Sequence, residues 1–288
     1  NEISVYGRNL GSGASPTAPG ILDSTRLEKP DYGNYFMGAC GFYDDPDTLM
    51  IPVGSTMRQY IPWDYLEWKG VDTALHIADT SYQGYPNSTF RFSPNRFNAN
   101  MDNIYTNWKN QGIDVVPVLQ QMASYLRDGR KSTAKPITIG DDPEDPQSYE
   151  EHADFMYQFT ARYGRIQQAD SLLKLDSTQS RVSGLDLINF VENWNEPDNW
   201  WTDSASFFRP EELAAMCSAD YDGHEGALGN TYGVKNADST MKMVMGGLAV
   251  IEVGYIQAMK TWSDYNRTSG FPADVINVHH YSNNGGKQ

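Results

Sequence analysis

The sequence predicts an α/β fold, namely a (β/α)8 TIM barrel of which about six βα units are present in the 288 residues. Short apolar runs alternate with single amphipathic segments, which is the pattern of βαβ units in a parallel sheet. Polar and aromatic clusters directly follow the apolar runs, where a barrel keeps its chemistry. A doubly wound fold would favour a glycine-rich phosphate turn after the first strand, but residues 38–41 lack the third glycine of that motif.

Apolar periodicity places the individual elements in order. The predicted strands are 35–41, 56–61, 113–119, 187–194, 243–250 and 275–281. Apolar residues at helical spacing predict helices around 101–111, 148–163, 211–219 and 255–262. Each helix lies between two strands, as a parallel sheet requires.

Two segments differ from this alternation. Residues 1–33 read as an N-terminal strand and a Gly/Ser/Pro-rich linker, which could be the tail of an upstream domain, so that residues 34–288 form the partial barrel. Residues 63–97 form an aromatic insertion after the second strand. That insertion could wall a cleft or form a small core under a long loop, and the sequence leaves both open.

Composition narrows the classes of partner. With 22 basic and 37 acidic residues the chain carries a net charge of −15, which argues against binding nucleic acid or an anionic membrane surface. No apolar run approaches the roughly 18 residues of a membrane helix. The 7 Trp and 18 Tyr suit a neutral polymer, and carbohydrate is the natural candidate because aromatic faces stack on sugar rings.

The remaining expectations from composition concern location and cofactors. The chain begins without Met or an apolar leader, as a mature protein would, and we expect a secreted, periplasmic or cell-surface protein. Cys40 and Cys217 are far apart in the sequence, and we interpret them as two buried thiols rather than as a disulfide. We expect no cofactor and no metal.

The sharpest motif ends the fourth predicted strand. Asn195, Glu196 and Pro197 follow the strand 187–194, and two tryptophans come soon after. Because proline disfavours the α region in the residue before it, we expect Glu196 to be extended and its carboxyl to be aimed in advance. The carboxyl end of a barrel strand is where such a fold keeps a catalytic acid.

This motif resembles glycoside hydrolase clan A, the retaining (β/α)8 glycosidases. In that clan an Asn-Glu pair ends the fourth strand, the Glu is the general acid/base, and the Asn binds the sugar 2-hydroxyl. The resemblance therefore implies these roles for Glu196 and Asn195. Within the clan, the chain looks most like family 39 and its neighbours, or like agarase- and porphyranase-type members.

Two further positions match the clan. His279 and Tyr281 take the places of its His-x-Tyr pattern at the end of the sixth strand, and the resemblance implies that they lie in the barrel mouth. Strand alternation predicts that His280 points away, so joint metal chelation by the His pair is not expected. Arg58 fits the arginine that the clan places near the nucleophile carboxylate, although an ordinary surface arginine remains open.

The clan pattern also predicts residues that we do not find. The clan places its nucleophile Glu at the end of the seventh strand, and this chain stops seven residues after Tyr281. None of the later glutamates fits the position, namely Glu211, Glu212, Glu225 and Glu252. We therefore expect the nucleophile and the last strands in a C-terminal part of the same polypeptide, beyond Gln288.

The resemblance implies a retaining glycoside hydrolase acting on a polysaccharide or oligosaccharide by double displacement. Candidate stacking platforms for the sugar are Trp63, Trp68, Trp200 and Trp201. Trp200 and Trp201 are favoured because they follow the acid/base closely. A non-catalytic or degenerate carbohydrate-binding barrel is the alternative, and a metal-dependent hydrolase on a barrel is a third class.

Overall fold

The structure is a computed structural model that describes residues 38–42, 45–46, 54–68, 91–96, 99–176 and 179–280. Its centre is a five-stranded parallel sheet with the strands in chain order. Those strands are β1 Gly38–Cys40, β2 Thr56–Pro62, β3 Asp114–Gln120, β4 Phe190–Asn195 and β5 Lys242–Gly247. All five correspond to predicted strands, and their order is that of consecutive units of a (β/α)8 barrel.

The sixth predicted strand lies beside β5 but is not a regular strand. Isolated parallel bridges join Val244 to Val275 and Leu248 to Val278. Backbone hydrogen bonds accompany these bridges: the amide of Met245 donates to the carbonyl of Val275 at 2.8 Å, and just past the second bridge the amide of His279 donates to the carbonyl of Leu248 at 2.6 Å. The segment therefore occupies the sixth position of the barrel wall without continuous pairing.

Four long helices lie between the strands, as predicted. They are α1 Met101–Asn110, α2 Glu150–Tyr163, α3 Pro210–Asp222 and α4 Val253–Asn266. Asn100 caps α1 by accepting a hydrogen bond from the amide of Asn103. Pro210 begins α3, where its missing N–H and fixed φ suit the first helical turn, and Gly223 ends it with a φ of +66°.

The hydrophobic core lies between the sheet and these helices. The outward face of β2 buries Met57 and Ile61, while Arg58 and Tyr60 alternate toward the barrel interior. Helix α2 is buried along nearly its whole length, and its aromatic rings pack against Trp63, Phe92 and Tyr105. This packing anchors the strands whose carboxyl ends carry the candidate site.

Several expectations are corrected or lie outside the described residues. Cys217 is buried as expected, but Cys40 is exposed on β1, so the expectation of two buried thiols was half wrong; both thiols are free. The expected strand and linker at 1–33, and most of the insertion 63–97, fall outside the described ranges. No helix in the part of the chain that the structure describes is long and apolar enough to cross a membrane.

Candidate active site

A buried ion pair lies inside the barrel below the carboxyl ends of the strands. Arg58 of β2 donates from Nε and Nη2 to the two carboxylate oxygens of Glu192 on β4, both at 2.7 Å. The Glu192 side chain is 1% exposed and that of Arg58 is 19% exposed. Burial alone would lower the pKa of Arg58, but its hydrogen bonds and charge attraction with Glu192 outweigh burial and raise it. Arg58 is thus an interior cation rather than a surface arginine.

Glu192 accepts two more hydrogen bonds from neighbouring elements. The amide of Gly247 at the end of β5 donates at 3.1 Å, and Asn277 Nδ2 from the sixth segment donates at 2.9 Å. On the other side of the pair, Arg58 Nη1 donates to the hydroxyl of Tyr60 at 2.6 Å. A carboxylate that is removed from water requires partners of this number and charge.

An irregularity at the end of β4 turns Asn195 to the same side as Glu192. Trp194 has a φ of +78°, and its ring packs outward against His152 and Phe208. Asn195 then faces inward and accepts a hydrogen bond at 3.0 Å from Arg58 Nη2. The arginine that the sequence predicted near a nucleophile therefore holds Glu192 and Asn195.

Glu196 lies just beyond the sheet, and its backbone conformation differs from the prediction. Its φ is +47°, in the left-handed region, so the expectation of an extended residue was wrong. The amide of Glu196 donates to the carbonyl of Gly247 at 2.9 Å, and this bond to the neighbouring strand supports the unusual conformation. Left-handed non-glycine residues cost of order 1–3 kcal/mol and cluster at functional sites.

His279 contacts the Glu196 carboxyl, as expected for a residue of the barrel mouth. Its Nδ1 lies 2.9 Å from Glu196 Oε1, and both side chains are mostly buried. A glycine at position 247 makes this approach possible, because a Cβ there would lie 2.8 Å from His279 Cδ2 and 2.7 Å from Asn277 Nδ2. His279 therefore contacts the Glu196 carboxyl from one side, and the absence of a side chain at Gly247 leaves room for its ring.

Glu196, His279 and two tryptophans line one open cleft. Its volume is about 570 Å³, and Trp200 and Trp201 are 60% and 55% exposed, with their rings perpendicular and 4.8 Å apart. His280 also lines this cleft, so the expectation that it points away was wrong. The reason is that the sixth segment lacks regular pairing, so strict alternation does not apply.

Trp63 is not in the cleft, which corrects its assignment as a stacking platform. Its side chain is fully buried, and its ring stacks on Phe155 of α2 at 5.2 Å and meets His152 edge-on at 5.2 Å. The chain turns under α2 immediately after β2, in a 3-10 turn at Trp63–Tyr65. A tryptophan in that turn fills the core instead of lining the mouth.

The structure also identifies site residues that the sequence interpretation missed. Glu192 and Asn277 were given no role, yet both belong to the Arg58 hydrogen-bond network. A charged residue within the otherwise buried strand β4 was a signal for the first, and the two-residue spacing to His279 was a signal for the second. Tyr281 lies outside the described residues. Among residues within them, no group of three His, Cys, Asp or Glu side chains could hold a metal ion.

The sequence matches no protein-family model and no curated protein. Several of the solved structures that resemble the fold are glycoside hydrolases. One is a family 51 α-L-arabinofuranosidase from Bifidobacterium longum, with 13% identity, a TM-score of 0.40, and a match covering 83% of this chain and 38% of that one. Another is a family 39 glycoside hydrolase from Bacteroides cellulosilyticus, with 11% identity, a TM-score of 0.33, and coverage of 69% and 27%.

A third structure of this kind is a GH30 endoxylanase from Clostridium papyrosolvens. It shares 12% identity at a TM-score of 0.37, and the match covers 85% of this chain and 49% of that one. The chain thus spans between about a quarter and a half of the length of these three enzymes. The geometry of the site, and not these likenesses, carries the functional proposal.

Proposed function

We propose that the protein is a retaining glycoside hydrolase acting on a polysaccharide or oligosaccharide, with Glu196 as its general acid/base. One observation carries this proposal: the Glu196 carboxyl is held by His279 within an open cleft that two exposed tryptophans flank. A general acid must be held in place and still reach the glycosidic oxygen. Glu196, whose side chain is 19% exposed, meets both conditions.

Glu192 does not fit that catalytic role, although it lies four residues earlier. Its two oxygens accept four hydrogen bonds, and it is almost wholly buried. A carboxylate held by this many buried partners is a structural anchor that cannot approach a sugar. The contrast between the two glutamates supports Glu196 as the reacting group.

Neighbouring residues supply recognition in this proposal. Trp200 and Trp201 present apolar faces at the cleft, on which sugar rings can stack. Asn195 lies directly before the acid and is held from behind by Arg58, so its amide is placed to bind a hydroxyl of the sugar next to the scissile bond. We assign Tyr281 to the same mouth on the pattern of its strand.

The reaction follows from these roles. Glu196 in its protonated form donates to the glycosidic oxygen while a second carboxylate attacks the anomeric carbon, and Glu196 then deprotonates the water that releases the sugar. Retention requires the two carboxyl groups about 5–5.5 Å apart. We propose that the nucleophile is a Glu of the C-terminal part of the polypeptide, beyond Gln288.

The test is Glu196→Gln in the full-length protein, assayed on an oligosaccharide with a poor leaving group. We expect kcat to fall by about 10² to 10⁴-fold, the usual worth of a general acid. Glu225→Gln is the matched control: this glutamate lies in the loop after α3, at the opposite end of that helix from the cleft.

Two outcomes would overturn the proposal. Turnover by Glu196→Gln close to that of the wild type would remove the acid/base assignment, and inversion at the anomeric carbon, read by NMR, would remove the retaining mechanism. A wild-type protein that binds oligosaccharides without cleaving any would instead indicate the alternative, a carbohydrate-binding barrel.

A further inference from the structure

We propose that Glu192 is a positioning residue that acts through Arg58 to fix the orientation of the Asn195 amide toward the substrate. This inference rests on the proposed glycosidase function and concerns how its sugar-binding group is held. Neither the motif nor the resemblance assigns Glu192 a role.

The guanidinium of Arg58 is held in one orientation. Its Nε and Nη2 are engaged by Glu192, and its Nη1 by the hydroxyl of Tyr60. A planar guanidinium with this many fixed contacts has a single orientation. Its Nη2 therefore presents a hydrogen at a defined point, and Asn195 Oδ1 accepts it at 3.0 Å.

The contact with Arg58 determines which atom of the Asn195 amide faces inward. A guanidinium only donates hydrogen bonds, so the amide atom of Asn195 that faces Arg58 must be the oxygen. The Asn195 Nδ2 then points to the other side, and it donates to no residue in the described ranges. The amide thus offers the substrate a donor, which suits an oxygen of a sugar hydroxyl.

Glu192 is itself held by two neighbouring elements of the sheet. The Gly247 amide and Asn277 Nδ2 donate to its Oε1, so the carboxylate is fixed to β5 and the sixth segment as well as to β2. Without the carboxylate, Arg58 would have no anionic partner among the described residues and could turn toward Asn195 or the cleft. The orientation of Asn195 would then no longer be unique.

Glu192→Gln tests the proposal in the full-length protein, with a glycoside that the wild type cleaves. We expect kcat to fall at least tenfold with KM changed less than about threefold, because hydrogen bonds to the 2-hydroxyl strengthen in the transition state. In an Asn195→Ala background the same substitution should change kcat less than about threefold, since the residue it acts through is already gone.

Asp222→Asn is the matched control. Asp222 accepts two hydrogen bonds from Arg267, at 3.0 and 2.7 Å, and this largely buried pair lies at the carboxyl ends of α3 and α4, away from the cleft. We expect that variant to melt at a lower temperature with unchanged kcat. If Glu192→Gln does not fold, Glu192→Asp keeps the charge and withdraws it by one methylene, and its kcat should still fall severalfold.

The outcomes separate this inference from the proposed function. If Glu196→Gln is inactive but the soluble Glu192 variant turns over like the wild type, the positioning role is wrong and the function stands. If the effects of Glu192→Gln and Asn195→Ala multiply fully, Glu192 acts independently of Asn195 and the proposal is overturned. If Glu196→Gln remains active, the proposed function itself fails.

Discussion

Gly247 is the position where one added methyl group should disable the site. It lies at the end of β5, its carbonyl accepts from Glu196, and its amide donates to Glu192. A Cβ built there lies 2.8 Å from His279 Cδ2, 2.7 Å from Asn277 Nδ2 and closer still to His279 Nε2. Ordinary contacts of this kind are 3.4–4 Å. The imidazole must therefore move by about 1 Å.

That displacement sets the expected magnitude. His279 and Glu196 are 2.9 Å apart, so a shift of about 1 Å away breaks their hydrogen bond. A misplacement of about 1 Å at a reacting group can lower a rate by ~10²-fold, which corresponds to about 2.7 kcal/mol of transition-state stabilisation. Overpacking should also lower the free energy of unfolding by about 1–3 kcal/mol.

The assay is kcat/KM of Gly247→Ala on an oligosaccharide, together with the ¹⁵N chemical shift of His279 Nδ1, which reports its hydrogen bond to Glu196 directly. Gly254→Ala is the control, because a Cβ there meets only Glu252 Oε1, at an ordinary 3.5 Å. Activity of Gly247→Ala within threefold of the wild type, with an unchanged His279 shift, would refute the reasoning.

Further predictions concern the tryptophans and one acidic helix residue. Trp200→Ala and Trp201→Ala should each raise KM about five- to tenfold, which is equivalent to about 1–1.4 kcal/mol of lost stacking. Tyr265→Ala is the control: this residue is 87% exposed on α4, and its loss should leave KM unchanged. Equal KM values for all three variants would contradict the stacking role. Burial, together with the charges of Glu150, Asp141 and Asp154, raises the pKa of Glu151 to about 8. Its folded-state pKa is above the unfolded value, so the stability it contributes is present below about pH 4.5 and is lost as the pH rises to about 8. Glu151→Gln should therefore raise the free energy of unfolding at pH 8 by on the order of 1 kcal/mol, a figure discounted because the side chain is only partly buried. The measurement is a series of denaturation curves from pH 5 to 8. No difference in stability between the variant and the wild type across that series would contradict the prediction.

Much of the fold could be predicted because its signals are local. Apolar runs predicted the five strands of the central parallel sheet to within a few residues, and helical spacing predicted α1 and α3. The glutamate that we propose as the acid was equally accessible, since Asn195 and Glu196 are contiguous and follow a strand. Such features depend on neighbours in the chain, which the sequence displays directly.

The predictions that failed concern residues whose conformation or partner is determined by tertiary contacts. Proline after Glu196 favours an extended conformation, but the hydrogen bond of the Glu196 amide to Gly247 on the next strand overrides that local preference. Nothing near Trp63 in the sequence shows that its ring packs under α2 against Phe155. The partner of Arg58 was likewise hidden, because Glu192 is 134 residues away.

Those long separations have a consequence for how the chain reaches its native state. The partners of Glu192 are 134, 55 and 85 residues from it along the chain and belong to different elements. Contacts between such distant residues form late in folding, after the loops between them have closed. A strand that paired one residue out of register would leave this carboxylate desolvated and short of partners, a defect of about 3–5 kcal/mol. The partners that Glu192 requires therefore disfavour any sheet in which β4 pairs out of register.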